Sequence, residues 1–506
     1  EVIRYRGGGF LAIDALPEFH YNYIYNNKGT DSSPIHSGGG GDETSGVDLP
    51  TLPDYEWGNP RCEGNVDLSY NFYRDNDALY GNTLATTDFV GSIDMTHSIF
   101  DVYNCPDTTV TPVWVDIEEE VEVDFTYSDG DLCSITEDVW VSPDGDDYLN
   151  TGTSASNAFL TIETALALIA PDSLNTITVN LTEGTFSPST SGESFPITMI
   201  SNVDLTGQGE NMTLLNAEQM SRVMIFNNTS NNIISNLTIS GGSADIFIGG
   251  ITEDGGSPHI FYSYSGGGAL IYNSNPIFNN LIIINNSTYR DVNWGDLHGG
   301  GGGIAFWESN AILNNVEISY NIGMWGAALE INYSSPLFNT VLIQYNGCAA
   351  PSECINGGIL LYDGSPTFIN SNISFNTGWA FAGLFLGDGE GIPSLINTVI
   401  TANVALNDYP SFACGGLCFY GGDINATNTI VWNNYPVSIY DYYGSSFESN
   451  ISYSNIEGGW IGEGNIDLDP LFTDPENADF TLMEDSPCID AGILIEGMEY
   501  CGSAPD

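Results

Sequence analysis

The chain has 506 residues, with 7 Lys or Arg against 66 Asp or Glu and a formal net charge of −59. Phosphate groups are bound by clustered Lys and Arg, so this balance argues against nucleic acid and anionic membrane surfaces as partners. Apolar residues make up 42% of the chain, which excludes wholesale disorder, and no run of about 18 apolar residues predicts insertion into a membrane.

Residues 1–120 are predicted to form an N-terminal β segment that reads as the tail of one β-helix. It holds one clear coil over residues 7–27, followed by a polar loop rich in Gly, Ser and Pro. The chain opens at Glu1 in what reads as mid-coil, which favours a processed or truncated chain. Residues 121–138 belong to a stretch that alternates apolar and acidic residues, as exposed strands do, and they are interpreted as an acidic connector.

Residues 139–173 are predicted to form a cap strand and an amphipathic capping helix. Ser156 or Asn157 is the expected N-cap, and Pro171 ends the helical pattern. Between them, apolar residues recur at helical spacing, at Leu160, Ile162, Ala165, Leu166 and Ile169. Because a solenoid needs its hydrophobic end covered, this helix indicates the start of a second, longer solenoid.

Residues 174–475 carry a short pattern that repeats with insertions between its copies. Its clearest anchors are Pro276, Ala311, Pro336, Pro366, Pro393 and Ile424. An apolar residue follows two and seven positions after each anchor, and an Asn follows ten positions after it. A constant unit with apolar residues at alternating positions is typical of a solenoid of short strands, and it predicts an all-β fold, a parallel β-helix.

Two columns of Asn accompany the repeat. The first is Asn286, Asn321, Asn346, Asn376, Asn403 and Asn434, and the second is Asn280, Asn315, Asn370, Asn397 and Asn428. Thr340 replaces Asn in one copy of the second column. Asn tolerates the left-handed backbone needed at corners and can hydrogen-bond along a stack of strands. We therefore predict that both columns hold corners and bind no ligand.

The nine cysteines lie mostly in local pairs, which predict disulfides. The candidate bonds are Cys62–Cys105, Cys348–Cys354, Cys414–Cys418 and Cys488–Cys501, the last closing a C-terminal tail over residues 476–506. Cys133 is left over. Local pairs in an acidic, loop-rich chain favour an oxidising, extracellular location, whereas the lack of any CxxC motif disfavours a metal site.

The stretch VSPDGDDYLNTGTSASNAFLTIETALALI, followed by ITVNLTEGTFS and VDLTGQG, resembles the opening of secreted bacterial right-handed parallel β-helix repeat proteins. Polysaccharide lyases of the pectate lyase type share that opening. The ending NIDLDPLFTDPENADFTLMEDSPCIDAG resembles the terminal coil of large secreted β-helix proteins. The resemblance implies a right-handed coil and secretion, but the fold hosts many activities.

Two acidic clusters are candidate calcium sites, because hard cations prefer carboxylate oxygens on flexible loops. They consist of Asp144, Asp146 and Asp147 in the first, and Asp467, Asp469 and Asp474, with Glu476 and Asp479, in the second. The first lacks the full spacing of an EF-hand loop, and a solvated acidic turn is the alternative interpretation of each.

Sequons mark candidate glycosylation sites in a chain that is rich in Asn, Ser and Thr. They occur at Asn180, Asn211, Asn236, Asn332, Asn372, Asn425 and Asn450, among others. Many arise by chance in such a composition, so they indicate a modification without requiring it.

No catalytic residue is assigned. The lyases that the chain resembles use Lys or Arg to abstract a proton beside a uronate carboxylate, and the central coils carry only Arg222 and Arg290. Outward acids are expected at Glu308, Glu330, Asp363 and Asp388, but no hydrolase motif surrounds them.

An outward aromatic column is the candidate glycan contact. It consists of Tyr272, Trp307, Tyr362 and Tyr420, interrupted by Asn332, each four residues before an anchor. Stacked rings on a flat sheet can support sugar rings, although they can also simply cover and rigidify the sheet.

Two functions follow from these patterns. The main hypothesis is a secreted structural protein, a subunit of an extracellular fibre or surface layer that assembles head-to-tail, because both ends of the solenoid read as open and the N-terminal segment can complete a neighbour. The alternative is a carbohydrate-binding or carbohydrate-active β-helix protein that uses the aromatic and acidic column.

Overall fold

The computed structural model describes residues 135–505 with short gaps, and only strands before them. The gaps are 148, 245–246, 255–256, 264, 289–298, 348–353, 408–412, 443–448, 499 and 501. The chain divides into two compact units, residues 1–137 with 167–170, and residues 138–166 with 171–506.

The strands of the first unit pair in parallel, in three sheets. Their bounds are Tyr23–Tyr25, Cys62–Asp67, Phe72–Arg74, Leu84–Thr86, Phe89–Asp94, Ile99–Phe100, Val113–Val115 and Val123–Thr126. Each strand of one coil pairs with its counterpart in the next, as Cys62–Asp67 does with Phe89–Asp94. Val123–Thr126 joins the same sheet, so parallel pairing continues into the segment interpreted as a connector.

The second unit is a parallel β-helix with two long parallel sheets, as the repeat predicted. Sheet 1 consists of Ile197–Thr198, Met224–Asn227, Ala269–Tyr272, Ile304–Trp307, Leu329–Asn332, Ile359–Leu361, Leu384–Leu386, Leu417–Phe419 and Ile439–Asp441. Sheet 2 consists of Val139–Val141, Ile177–Leu181, Gly184–Phe186, Val203–Thr206, Thr213–Asn216, Ile233–Ser240, Ile277–Ile284, Ile312–Ser319, Leu337–Gln344, Thr367–Ile369, Asn372–Ser374, Ser394–Ile396, Val399–Thr401, Asn425–Thr427, Ile430–Trp432, Asn450–Ser452 and Asn455–Ile456.

Smaller elements decorate these coils. Thr377–Gly378 and Val404–Ala405 pair in parallel, while Phe247–Asp254 with Ser257–Ser263, and Phe472–Asp474 with Asp479–Leu482, form antiparallel hairpins. Short 3-10 turns span Ala155–Asn157 and Pro475–Asn477. Within the described residues, no helix is long and apolar enough to cross a membrane.

The capping helix runs from Ile162 to Leu168, and its N-terminus differs from the prediction. Ser156 and Asn157 lie in the preceding 3-10 turn, and Thr161 is the N-cap, with its Oγ1 accepting a hydrogen bond from the Thr164 amide at 3.2 Å. The Glu193 carboxylate accepts a further bond from the Ile162 amide at 2.7 Å. The residues near the helix start did not predict the correct N-cap, because this cap is completed by a carboxylate 31 residues away in sequence.

Inward side chains stack in register from coil to coil. The column two residues after the anchors consists of Phe278, Leu313, Phe338, Phe368, Leu395 and Ala426, all at most 1% exposed. The rings of Phe338 and Phe368 lie face to face with centroids 4.4 Å apart. Burying each large side chain contributes about 1.5–3 kcal/mol, so the repeated pattern itself supplies the core.

The first Asn column forms a continuous buried ladder. Each Nδ2 donates to the Oδ1 of the next Asn, for example from Asn321 to Asn346 at 3.0 Å and from Asn346 to Asn376 at 3.0 Å. Each Oδ1 also accepts the backbone amide of the preceding Asn, as Asn346 does from Asn321 at 3.0 Å. The coil-to-coil hydrogen bonds that the sequence predicted are therefore present.

Left-handed backbone was predicted at both Asn columns, but only the second column adopts it. The second column does adopt it, with φ values such as 54° at Asn280 and Asn315. In the first column the residue before each Asn is left-handed instead, including Tyr320, Tyr345 and Phe375. The amide of each Asn is needed inside the ladder, so the neighbouring residue turns the corner and projects outward, where these three rings stack at centroid distances of 5.3 Å and 4.9 Å.

The last coil is covered, contrary to the expectation of an open C-terminal end. Its inward residues Ile451 and Ile456 are each 1% exposed. Trp460, in the loop that follows, stacks on the inward ring of Phe419 at 5.9 Å, and Asn465 binds the backbone of the last coil through Ser454 and Ile451. The segment after this loop packs against the side of the coils, where Phe480 meets Phe375 at 5.7 Å and the Ile493 amide bonds Asn428.

Candidate functional site

The outer surface of sheet 1 carries the predicted aromatic column. Phe306 points into the core, where its ring lies 6.0 Å from that of Phe338, so Trp307 points outward by strand alternation. The strand register continues the column through seven coils. These seven positions are named the aromatic row here, although two of them are not aromatic: Tyr272, Trp307, Asn332, Tyr362, Gly387, Tyr420 and Tyr442.

A second outward column of sheet 1 is roofed over by turns that lead into its strands. Its members Leu360, Phe385 and Cys418 are buried together with Phe381 and Cys414. Partly buried side chains complete this cluster: Trp325, Ile355, Trp379, Val437, Tyr440 and Tyr442. The roof leaves the aromatic row at its margin, where Tyr362 is 55% and Tyr420 39% exposed.

Carboxylates border the row, one residue further along the chain. Glu308 follows Trp307, Asp363 follows Tyr362 and Asp388 follows Gly387. Glu308 and Asp388 are exposed, while Asp363 accepts hydrogen bonds from the amides of Gly364 at 2.7 Å and Gly391 at 3.1 Å. The row therefore has an acidic edge.

Glu330 does not belong to that exposed edge, which corrects the sequence-based expectation. It is 5% exposed, and its Oε1 accepts a hydrogen bond from Asn332 at 2.9 Å. Its Oε2 is buried without a hydrogen-bond partner among the described residues. Burial raises the pKa of Glu330, and the polar side chains of Ser265 and Asn332 oppose this effect only in part. Strand alternation correctly predicts that Glu330 faces away from the core, but turns from other coils cover this position.

Tyr362 is the residue at which the acidic edge and the row meet. Burial raises its pKa, and the nearby Asp388 and Glu330 carboxyls raise it further. Tyr333 and Tyr420 act on the pKa in the same direction. By strand register, Tyr362 and Tyr420 lie two coils apart, and Asp388 follows the row member between them.

Carboxylates of both predicted calcium clusters accept hydrogen bonds from backbone amides or side chains of the protein itself. Asp147 accepts hydrogen bonds from Leu160 at 2.7 Å and from Thr161 at 3.1 Å, and Asp146 accepts one from Leu149. The partners of the C-terminal cluster are Gly458 for Asp467, Leu471 for Asp469 and Asn477 for Asp474. Within the described ranges, no three His, Cys, Asp or Glu side chains lie together as metal ligands, and Asp144 joins no such group. Calcium at either cluster stays a prediction.

Three of the described cysteines are disulfide-bonded. Cys414 and Cys418 are joined, with Cα atoms 5.8 Å apart, and Cys354 is also disulfide-bonded. Cys488 is buried, and its Sγ accepts a hydrogen bond from Asn455. The predicted partners Cys348 and Cys501 lie outside the described residues, as do the side chains of Cys62 and Cys105, together with Cys133.

The sequons differ in accessibility. Asn211, Asn425 and Asn450 are exposed, and Asn180, Asn236 and Asn372 are partly buried. Asn332 is 4% exposed and its amide is bonded to Glu330, so a glycan on it would displace part of the row. The exposed three remain the accessible candidates for glycosylation.

Several residues that shape the row were missed by sequence reasoning. Gly387 and Tyr442 belong to the row only through strand register. A Ser ladder, in which the Ser309 amide donates to Ser334 Oγ at 2.9 Å and the Ser274 amide to Ser309 Oγ at 3.2 Å, holds the corner after the row. Its signal was present, since each of these Ser residues stands two positions before an anchor.

The fold defines the chain as a right-handed parallel β-helix protein, which confirms the predicted resemblance at the level of fold. A family model described as a protein of unknown function (DUF1565) matches residues 144–293. Pectate lyase Pel9A is similar at 13% identity and a TM-score of 0.44, covering 74% of this chain and 96% of its own. Pectin methylesterase PemA from Erwinia chrysanthemi is similar at 13% identity and a TM-score of 0.32, covering 69% and 96%. No curated protein sequence matches the chain.

Proposed function

We propose that the protein binds a polysaccharide outside the cell, along the aromatic row on the outer surface of sheet 1. The observation that carries this proposal is the in-register line of outward rings at the margin of the roof, of which Tyr362 and Tyr420 are exposed and Tyr272, Trp307 and Tyr442 partly buried. Sugar rings present apolar faces that stack on aromatic side chains, and the hydroxyls at their edges bond to carboxylates and amides such as those beside the row.

Two further observations support the proposal. The disulfides at Cys354 and Cys414–Cys418 suit an oxidising compartment, which favours an extracellular protein. The carboxyl with a raised pKa on this surface, Glu330, is buried beneath the roof, so we propose binding rather than hydrolysis at the row.

The test is a binding comparison on a glycan array and by calorimetry. Replacing Tyr362 and Tyr420 together with Ala is expected to lower affinity about tenfold, since each stacked ring contributes roughly 0.5–1.5 kcal/mol. The Tyr500→Ala variant is the matched control, because Tyr500 is also exposed, at 43%, but lies in the C-terminal tail.

Melting temperatures of both variants separate loss of binding from loss of fold. An array on which the wild-type chain binds no glycan would overturn the proposal. Equal affinity of the wild type and the double variant would move binding away from the row.

A further inference from the structure

We infer that the polymer held on the aromatic row is a cationic amino-sugar chain, β-1,4-linked and extended along the axis of the coils. This inference rests on the proposed function and names its ligand class. Three features carry it: the period of the rings, the gap at Gly387 and the distribution of charge.

The rings of the row recur at every second coil in its central part. Trp307, Tyr362 and Tyr420 are each separated by one intervening coil, which carries Asn332 in the first interval and Gly387 in the second. Adjacent strands are ~4.8 Å apart, so successive rings are ~9.6 Å apart along the axis. In an extended β-1,4-linked chain, alternate sugars present the same face, and the repeating disaccharide has a similar length. Every second sugar can therefore stack on a ring.

Gly387 occupies the interval between Tyr362 and Tyr420. A Cβ built there would lie 3.2 Å from the Leu361 oxygen and 3.4 Å from the Tyr362 oxygen, closer than an ordinary contact, so glycine suits the tight approach of the neighbouring coil. Gly387 is itself buried and has no side chain, so nothing of this residue rises between the two rings. The sugar between two stacked neighbours would pass over this position.

The charge next to the row favours a cation. The carboxylates of Glu308, Asp363 and Asp388 follow three members of its central part, Trp307, Tyr362 and Gly387, and no Lys or Arg occurs after Arg290 in the sequence. Among the described residues beside the row, a polyuronate would find no Lys or Arg as an ion-pair partner, whereas protonated amino groups on a sugar chain would find a carboxylate at several coils.

The experiment compares three hexasaccharides by calorimetry at a pH where amino sugars are protonated: β-1,4-linked glucosamine, cellohexaose and a galacturonate. The wild-type chain is expected to bind the glucosamine hexamer most tightly. The double variant Glu308→Gln with Asp388→Asn should lose about fivefold in affinity for it and clearly less in affinity for cellohexaose, because Gln and Asn still hydrogen-bond to hydroxyls but carry no charge. The Gly387→Leu variant should weaken both, because its side chain fills the interval.

The control variant, Glu484→Gln with Asp485→Asn, removes the same charge from exposed positions in the tail. An equal loss in this control would show unspecific attraction to the acidic chain and overturn the inference. Tighter binding of cellohexaose or galacturonate would overturn it as well, yet leave polysaccharide binding intact. Unchanged affinity of Gly387→Leu, with an unchanged melting temperature, would overturn the placement along the row. Binding of none of the three would remove the inference, and the glycan array then decides the proposed function.

Discussion

At the scale of single residues, buried polar groups decide the character of this fold. Asn346 illustrates the ladder: its Nδ2 donates to Asn376 and to the Ile318 carbonyl, and its Oδ1 accepts from the preceding coil. Each such buried bond contributes about 1 kcal/mol, and an unpaired member would cost more. The buried carboxyls of Glu193 and Glu330 differ from these paired groups. Both are shielded from water, and no Lys, Arg or His is among the described residues that shift their pKa.

Glu193 should make stability depend on pH. Burial raises its pKa from 4.5 to about 8, since the charged form is penalised more than the backbone amides of Ile162 and Glu163 compensate. The neutral form therefore stabilises the fold fully below pH 4.5, and this contribution is lost as the pH rises through about 8. We expect the melting temperature of the wild-type chain to fall from pH 5 to pH 9, and that of the Glu193→Gln variant to fall less over the same range.

The control for that measurement is Glu183→Gln, at an exposed position, which should follow the wild-type curve. A residual decrease in Glu193→Gln is expected, because the pKa of Glu330 is raised for the same reason. If both variants show the full wild-type decrease, Glu193 is not the group that titrates.

At the scale of the element, the corner of sheet 2 shows how a coil tolerates variation. The corner residues Asn236, Asn280, Asn315, Thr340, Asn370, Asn397 and Asn428 all have φ between 49° and 57°. Asn side chains link neighbouring corners, from Asn315 to Asn280 at 2.9 Å and from Asn397 to Asn370 at 3.0 Å. Thr340 interrupts this exposed ladder with a β-branched side chain, which is unfavourable in the left-handed region.

Replacing Thr340 with Asn should stabilise the protein. The substitution relieves backbone strain and allows new side-chain bonds to Asn315 and Asn370, a gain of about 1 kcal/mol measured by chemical denaturation. Thr340→Gly separates the two causes, because it relieves strain without adding an amide. A destabilised Thr340→Asn variant would show that the neighbouring corners are not aligned for the ladder.

At the scale of the whole molecule, the covered last coil bears on assembly. Head-to-tail pairing at this end would require the loop that carries Trp460 to leave Phe419, which would expose Ile451 and Ile456. The net charge of −59 adds repulsion between copies, and salt screens it. The fibre hypothesis therefore stays a separate prediction that the covered end does not favour.

We expect single particles in sedimentation velocity and negative-stain microscopy, at both low and high salt. Trp460→Ala removes the ring that covers Phe419, so this variant should associate more readily, most clearly at high salt where repulsion is screened. Regular filaments of the wild-type chain would contradict this expectation and restore head-to-tail assembly as the leading function.

Much of the coil was predictable from sequence because its signals are local and repeated. The inward column that begins at Phe278 and the ladder that includes Asn346 follow from spacing alone. The helix cap at Thr161 was not predictable, because its completion depends on Glu193. The burial of Glu330 was missed for a similar reason, since the turns that cover it belong to other coils.

The parallel β-helix, its inward columns and its outward aromatic residues follow from the amino-acid sequence, because alternation and a constant repeat specify which face each side chain takes. Which outward residues reach solvent, and which coils become neighbours, emerges only in the folded chain. Gly387 enters the row between Tyr362 and Tyr420 through inter-strand register, and the roof buries Glu330 but not Asp388. Register and cover depend on insertions of variable length between coils, and the repeat pattern does not encode them.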